Sequence, residues 1–187
     1  MRTDRTLVVT GAIGSGKSFV AQWFVRAEWA YIDADAIGHE VLQRKEVVTE
    51  VARRWPHAVD QGVIDRALLA DTVFSDADAL IRLEAITHPP IRASIDKWLT
   101  TTSGLRLVEV SVLKAIDPAW GMKLVVDAPF VVRLRRLMER GLSRDNAMQR
   151  ITAQPPRSDW LEAADIVIDN SGQKELELDP FFEALTR

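Results

Sequence analysis

Apolar residues along this chain fall into five short runs separated by stretches of helical spacing. The first, Leu7 to Thr10, is a β-branched run that stops at Gly11 and predicts a buried strand. From Lys17, Val20, Trp23, Phe24 and Ala27 recur at helical intervals. "AYIDAD" (30–35) reads as a second strand ending in acids, and "LRLVEV" (105–110) and "KLVVDA" (123–128) as two more buried strands. "ADIVIDN" (164–170) predicts the last strand, and residues 173–186 a closing helix.

Between the second and third runs, residues 36–104 have mostly helical spacing. There Ser75 and Asp78 stand at capping-box distance, which predicts a helix over "SDADALIRLEAITH". Pro89 and Pro90 are expected to break it, with a second helix carrying Ile91, Ile95, Trp98 and Leu99 on one face. After Pro129 an arginine-rich helical stretch runs to about Gln154.

Strands alternating with helices favour a parallel sheet with helices on both faces, apart from two helical excursions. Ligands of such sheets bind at the carboxyl ends of the strands. The loops after Thr10, Ile32, Val110, Ala128 and Asp169 are therefore expected to share one cleft.

The loop after Thr10 carries the chemistry. Gly11-Ala12-Ile13-Gly14-Ser15-Gly16-Lys17-Ser18 matches G-x-x-x-x-G-K-[ST] without a gap, between a predicted strand and a predicted helix. Glycines let successive backbone N–H groups turn inward around phosphate oxygens, and the helix N-terminus, with Phe19 in its first turn, adds partial positive charge. Lys17 is expected to reach the β and γ phosphates of ATP, and Ser18 to place its hydroxyl on Mg²⁺. A plain glycine turn needs neither the lysine nor three glycines.

The chain has no N/T-K-x-D segment of the kind GTPases use to read guanine, and it is short for a motor. A small-molecule kinase remains. Such an enzyme needs a carboxylate to orient the acceptor hydroxyl and take its proton. Asp33 is the first choice. Asp35, pointing the same way if the strand extends that far, holds Mg²⁺ through water or caps the next helix. Asp127 is either a metal-side acid or a loop acid.

Residues 133–157 hold seven arginines and no lysine, offset only by Glu139 and Asp145. Guanidinium forks suit phosphate oxygens, and a lid bearing them would exclude water from the triphosphate. Arg136 and Arg140, one turn apart, share a face.

Composition narrows the picture further. The formal net charge of −3 gives no argument for bulk nucleic-acid or membrane binding. The absence of cysteine excludes disulfides, thiolate metal sites and cysteine nucleophiles, and fits a cytoplasmic, reducing environment. The three histidines are too far apart in sequence to suggest a metal site, and the six tryptophans are scattered as packing residues would be. There is no internal repeat.

"TGAIGSGKS", "IDAD", "IDRALLADTVF", "THPPIR", "VVDAP", "RLMER", "RITAQ" and "ADIVIDNSG" occur in the order typical of bacterial dephospho-CoA kinases, and over nearly the whole chain the sequence resembles that family. The resemblance implies an α/β P-loop kinase fold with a five-stranded parallel sheet, a helical substrate-binding insertion and a small arginine-rich lid. Its domains would be a nucleotide-binding core (1–35, 105–135 and 158–187), the insertion (36–104) and the lid (136–157). The implied reaction moves the ATP γ-phosphate to the 3′-hydroxyl of the dephospho-CoA ribose, the last step of coenzyme A synthesis. The implied enzyme is cytoplasmic, and a monomer is expected. Carried over by motif, Asp33 is the catalytic base, and Lys17 and Ser18 bind ATP and Mg²⁺. Arg136 and Arg140 are lid arginines, Asn170 holds the adenine, and Arg66 and His88 belong to the substrate half.

Two departures fall on the substrate side. His39 stands where the family usually has arginine, and "EVSVLKAID" replaces a proline-leucine-leucine run followed by an acid, with Ser111 and Lys114 at the changed positions. They keep open a different acceptor, a nucleotide or nucleoside, on the same scaffold. A nucleotide-binding module without catalysis is the alternative from another class.

Overall fold

A computed structural model of the chain describes residues 5–172. It holds seven strands and eight α-helices: β1 (Arg5–Thr10), α1 (Lys17–Arg26), β2 (Ala30–Asp33), α2 (Ala34–Val41), α3 (Lys45–Arg54), β3 (Val59–Asp60), β4 (Val63–Ile64), α4 (Arg66–Phe74), α5 (Ala77–Thr101), β5 (Leu105–Glu109), β6 (Met122–Asp127), α6 (Phe130–Glu139), α7 (Arg144–Thr152), α8 (Arg157–Glu162) and β7 (Ile166–Asp169). The helix expected over 173–186 lies outside the described residues.

The chain divides into two compact units. The first, residues 1–32 and 102–187, carries a five-stranded parallel sheet in the order β2-β5-β1-β6-β7. Strand β1 lies at its centre, with Val8 opposite Val108 of β5 and Lys123 of β6. Val8, Val9, Val108, Leu124 and Val126 are almost wholly shielded from solvent. This is why their segments read as continuous apolar runs: a strand covered on both faces has no polar side to alternate with.

One side of the sheet packs Leu7, Val9, Leu107, Leu124, Val126 and Ile168 against Val20, Ala21 and Phe24 of α1. Trp29 closes that cluster edge-on to Phe24, with ring centroids 5.0 Å apart. Val125 packs with Ala12 and Trp160 of α8, whose indole N–H donates to the Pro155 carbonyl. Four of the six tryptophans (Trp29, Trp55, Trp120 and Trp160) are buried, as packing residues.

The second unit, residues 33–101, is helical apart from the β3–β4 hairpin, with α2, α3 and α4 packed on α5. Two expectations are corrected here. Helix α5 runs unbroken over 25 residues with Pro89 and Pro90 inside it. Each proline removes one donor, freeing the carbonyls of Ala85 and Ile86. Ala85, Ile86 and Pro90 line an open groove of about 470 Å³. Packing against three other helices carries α5 across the gap. The cap of α5 is also Asp76, whose carboxylate accepts from the N–H groups of Asp78 and Ala79. Ser75 instead closes α4, donating to the Thr72 carbonyl.

Candidate active site

Strand β1 delivers the chain into the glycine loop, and α1 begins immediately after it. Gly16 caps α1 in the left-handed region at φ 95°, and a Cβ there would collide with the Asn170 side chain. Gly14 has φ 80°, and a Cβ on it would lie 2.8 Å from the Arg133 carbonyl oxygen. These two positions admit glycine for two reasons at once, backbone sign and space.

The loop is tied down from outside. The Arg136 guanidinium donates through Nη1 to the Ser15 carbonyl at 2.9 Å and to the Gly14 carbonyl at 3.3 Å, and through Nη2 to the Asn170 carbonyl at 2.9 Å. Asn170 Nδ2 also donates to the Ser15 carbonyl, at 2.8 Å. Gln154 Oε1 accepts from the Ile13 N–H at 2.7 Å. Ile13 itself packs against the small core of Leu137, Ala147 and Ile151 between α6 and α7. The loop's carbonyls are thus engaged on one side. The Ser15 hydroxyl, 1% exposed, has no hydrogen-bond partner among the described residues.

At the mouth of the loop stands a residue that the sequence reading passed over, Glu109. It ends β5 and is 4% exposed. Its Oε1 accepts from Lys17 Nζ at 2.6 Å and from the Ser18 hydroxyl at 2.8 Å, and its Oε2 from the Tyr31 hydroxyl at 2.7 Å. Burial pushes the Glu109 carboxyl up. Hydrogen bonds from Lys17, Tyr31 and Ser18 together with the Lys17 charge outweigh that, and hold it below the ordinary carboxylate value. The sequence shows "LRLVE" as an apolar strand that ends on an acid, but not that this acid meets the glycine loop.

Ser18 and Glu109 bring two hard oxygen donors together beside the phosphate loop. Mg²⁺ commonly takes one or two protein oxygens and completes its shell with water and substrate phosphate. The pair therefore fits that ion. Among the described residues no group of three or more His, Cys, Asp or Glu side chains could hold a metal.

Asp127 ends β6 in a two-pronged ion pair with Arg157, whose Nε lies 3.0 Å from both carboxylate oxygens. That hydrogen bonding raises the Arg157 guanidinium above its ordinary value. Arg133 is buried beside the same acid. Burial lowers its guanidinium and the Asp127 charge offsets part of the effect. Asp127 is thus held by arginine. Burial, with repulsion from Arg135 and Arg140, also lowers Arg136. Arg140 is the C-cap of α6 and exposed.

The residues expected to handle the acceptor lie in the second unit. Strand β2 stops at Asp33, so the alternation expected to carry Asp35 does not reach it. Asp33 caps α2, accepting from the Asp35 N–H at 2.8 Å, and Asp35 sits in the first helical turn. Arg66 opens α4, where Asp65 caps the helix. Its Nη2 lies 2.7 Å from His39 Nε2. Arginine has no acceptor, so Nε2 is the accepting nitrogen of this pair. His88 is half-buried on α5. Phe19 is 60% exposed in the first turn of α1.

A parallel sheet in this order, a glycine loop opening the first helix, and an acid at the end of the strand beside it define a P-loop kinase. Solved structures with the same fold include a shikimate kinase from Bacteroides thetaiotaomicron, 14% identical with a TM-score of 0.54 over 97% of this chain and 96% of that one. Nearer neighbours narrow the class. A dephospho-CoA kinase from Campylobacter jejuni is 26% identical, with a TM-score of 0.69 over 97% of this chain and 96% of that one. A Thermus thermophilus protein of known crystal structure is 34% identical, with a TM-score of 0.85 over 99% of this chain and all of that one. In sequence, the dephospho-CoA kinase of Deinococcus radiodurans is 38% identical over 91% of this chain and 86% of its own length. The family profile for dephospho-CoA kinase matches residues 5–175. The chain belongs to the dephospho-CoA kinase family.

Proposed function

We propose that the chain transfers the γ-phosphoryl group of ATP, with Mg²⁺, to the 3′-hydroxyl of dephospho-CoA. The observation that carries this reading is the convergence of Lys17, Ser18 and the buried Glu109 at the mouth of the glycine loop, in a chain of this family. Residues 11–16 surround the polyphosphate with amides, and Lys17 leaves Glu109 for the β and γ phosphates. Ser18 and Glu109 hold Mg²⁺, which when bound neutralises charge on the phosphate oxygens.

Asp33 takes the proton of the attacking ribose hydroxyl. Asp35, His39, Arg66 and His88 bind the acceptor. His39 acts through Arg66, since its accepting nitrogen is already engaged by that guanidinium. Arg140 closes with its lid segment over the reacting phosphate, while Arg136 and Asn170 shape the loop and flank the adenine. The enzyme acts as a cytoplasmic monomer on small molecules. Its net charge of −3 gives no argument for bulk nucleic-acid or membrane binding, and no helix among the described residues is long and apolar enough to cross a membrane.

The test is an acceptor panel with ATP and Mg²⁺, read as ADP release and as product mass. Dephospho-CoA is expected to gain one phosphate and to outpace nucleosides and nucleotides. Selective phosphorylation of one of those instead would transfer the assignment to the second reading, which His39 and the Ser111–Lys114 segment keep open.

A further inference from the structure

The roles just assigned leave Tyr31 unused. Its ring packs against the core cluster beneath β1, and its hydroxyl donates to Glu109 Oε2 at 2.7 Å. The other two partners of that carboxylate, Lys17 and Ser18, crowd onto Oε1. The two oxygens therefore differ in what happens to them. Both partners of Oε1 are groups that the proposed reaction redirects, Lys17 to phosphate and Ser18 to the metal. The partner of Oε2 has no such second duty. It hangs from β2, a strand of the same sheet as β5, so the sheet itself sets its position relative to Glu109.

A buried carboxylate that gives up its lysine would turn about its last torsion, which is soft and broadly populated. A phenol anchored on the far oxygen prevents this. It is neutral, so it does not compete with a cation for charge. Toward Glu109 it acts as the donor, so it fits the oxygen that the cation does not need.

We propose that Tyr31 is a positioning residue for divalent-cation binding. By holding Oε2 it keeps Glu109 Oε1 turned toward Ser18 and ready for the metal once Lys17 has moved to the polyphosphate. The inference rests on the reading of this loop as an Mg²⁺–nucleotide site.

The test is Tyr31→Phe, which preserves the ring and deletes the donor. Mn²⁺ binding is measured directly by electron paramagnetic resonance with ADP present and no acceptor. A hydrogen bond to a charged group is worth enough that its loss is expected to weaken Mn²⁺ binding about ten-fold. The Mg²⁺ concentration for half-maximal turnover should rise by a similar factor, with kcat recovered at high Mg²⁺ and the KM for the acceptor unchanged. Ile168→Val, a core truncation on β7 that lowers stability without touching Glu109, should leave Mn²⁺ affinity as it is. Wild-type Mn²⁺ and Mg²⁺ responses in Tyr31→Phe would overturn the proposal, as would equal weakening in Ile168→Val. If the wild-type protein with ADP binds no Mn²⁺, the reading of the loop fails first and takes the inference with it.

Discussion

Arg136 spends its guanidinium on backbone. Its two terminal nitrogens reach the carbonyls of Gly14, Ser15 and Asn170, and Asn170 returns a bond to the Ser15 carbonyl. Carbonyls held outward leave the loop's remaining amides free to face a polyanion, so under the proposed function Arg136 would contribute to phosphate binding through the shape of the loop. A planar fork can span these acceptors, whereas an ammonium is a point donor on a flexible stem. Arg136→Lys keeps the charge and should still weaken ATP binding about ten-fold, given the strength of hydrogen bonds from a charged donor. Calorimetric titration with a non-hydrolysable ATP analogue checks this, and unchanged affinity would return Arg136 to a simple electrostatic role. The glycine loop, Lys17 and Ser18 were legible because the motif is contiguous and each position has its own physical demand. Glu109, Tyr31 and Gln154 were not. Each reaches the loop from a distant part of the chain, so only the strand order reveals the meeting. Spacing along α6 put Arg136 and Arg140 on one face but said nothing about which acceptors that face would meet.

The strands show the same division. All five strands of the sheet were placed within a residue or two by their apolar runs, because burial on both faces writes itself into composition. Local signals misled where tertiary packing overrode them. Two adjacent prolines are the strongest helix-breaking signal in the chain, yet α5 continues through them. Ser75 looked like a cap because of its spacing to Asp78, but Asp76 took that place one residue on. The short β3–β4 hairpin, two residues a side, is below what alternation can signal. The cost of carrying a proline inside α5 is open to measurement. Pro89 is exposed, so Pro89→Ala restores a donor to the Ala85 carbonyl and loses little packing. The helix should gain up to about 3 kcal/mol from removing the proline. The unfolded chain regains about 0.4–1 kcal/mol of freedom. The full-length variant should thus unfold in urea with about 1–2 kcal/mol more stability. Lower stability would mean that the backbone restriction Pro89 imposes is itself required by the packing of α2, α3 and α4.

At the scale of the whole molecule, the same carboxylate that organises the site should govern how the protein responds to acid. Glu109 is buried at the end of β5, and its folded-state carboxyl is lowered relative to an ordinary glutamate with a value of 4.5. A group depressed by folding adds stability that is fully present above the unfolded value, and loses it as pH falls through the folded one. The sign is therefore fixed: folded protein should weaken below about pH 5, as the Lys17, Tyr31 and Ser18 bonds to a charged carboxylate give way. Glu109→Gln keeps shape and some hydrogen bonding but has no proton to gain. It leaves Lys17 uncompensated, so the variant should be less stable near neutrality by about 1–3 kcal/mol. It should also lose less on acidification than the wild type, because this contribution is already absent. Urea midpoints of both proteins across pH 7 to 3 separate the two effects. Parallel pH curves, offset but equal in slope, would show that other acids dominate the acid response and that Glu109 is held by packing more than by charge.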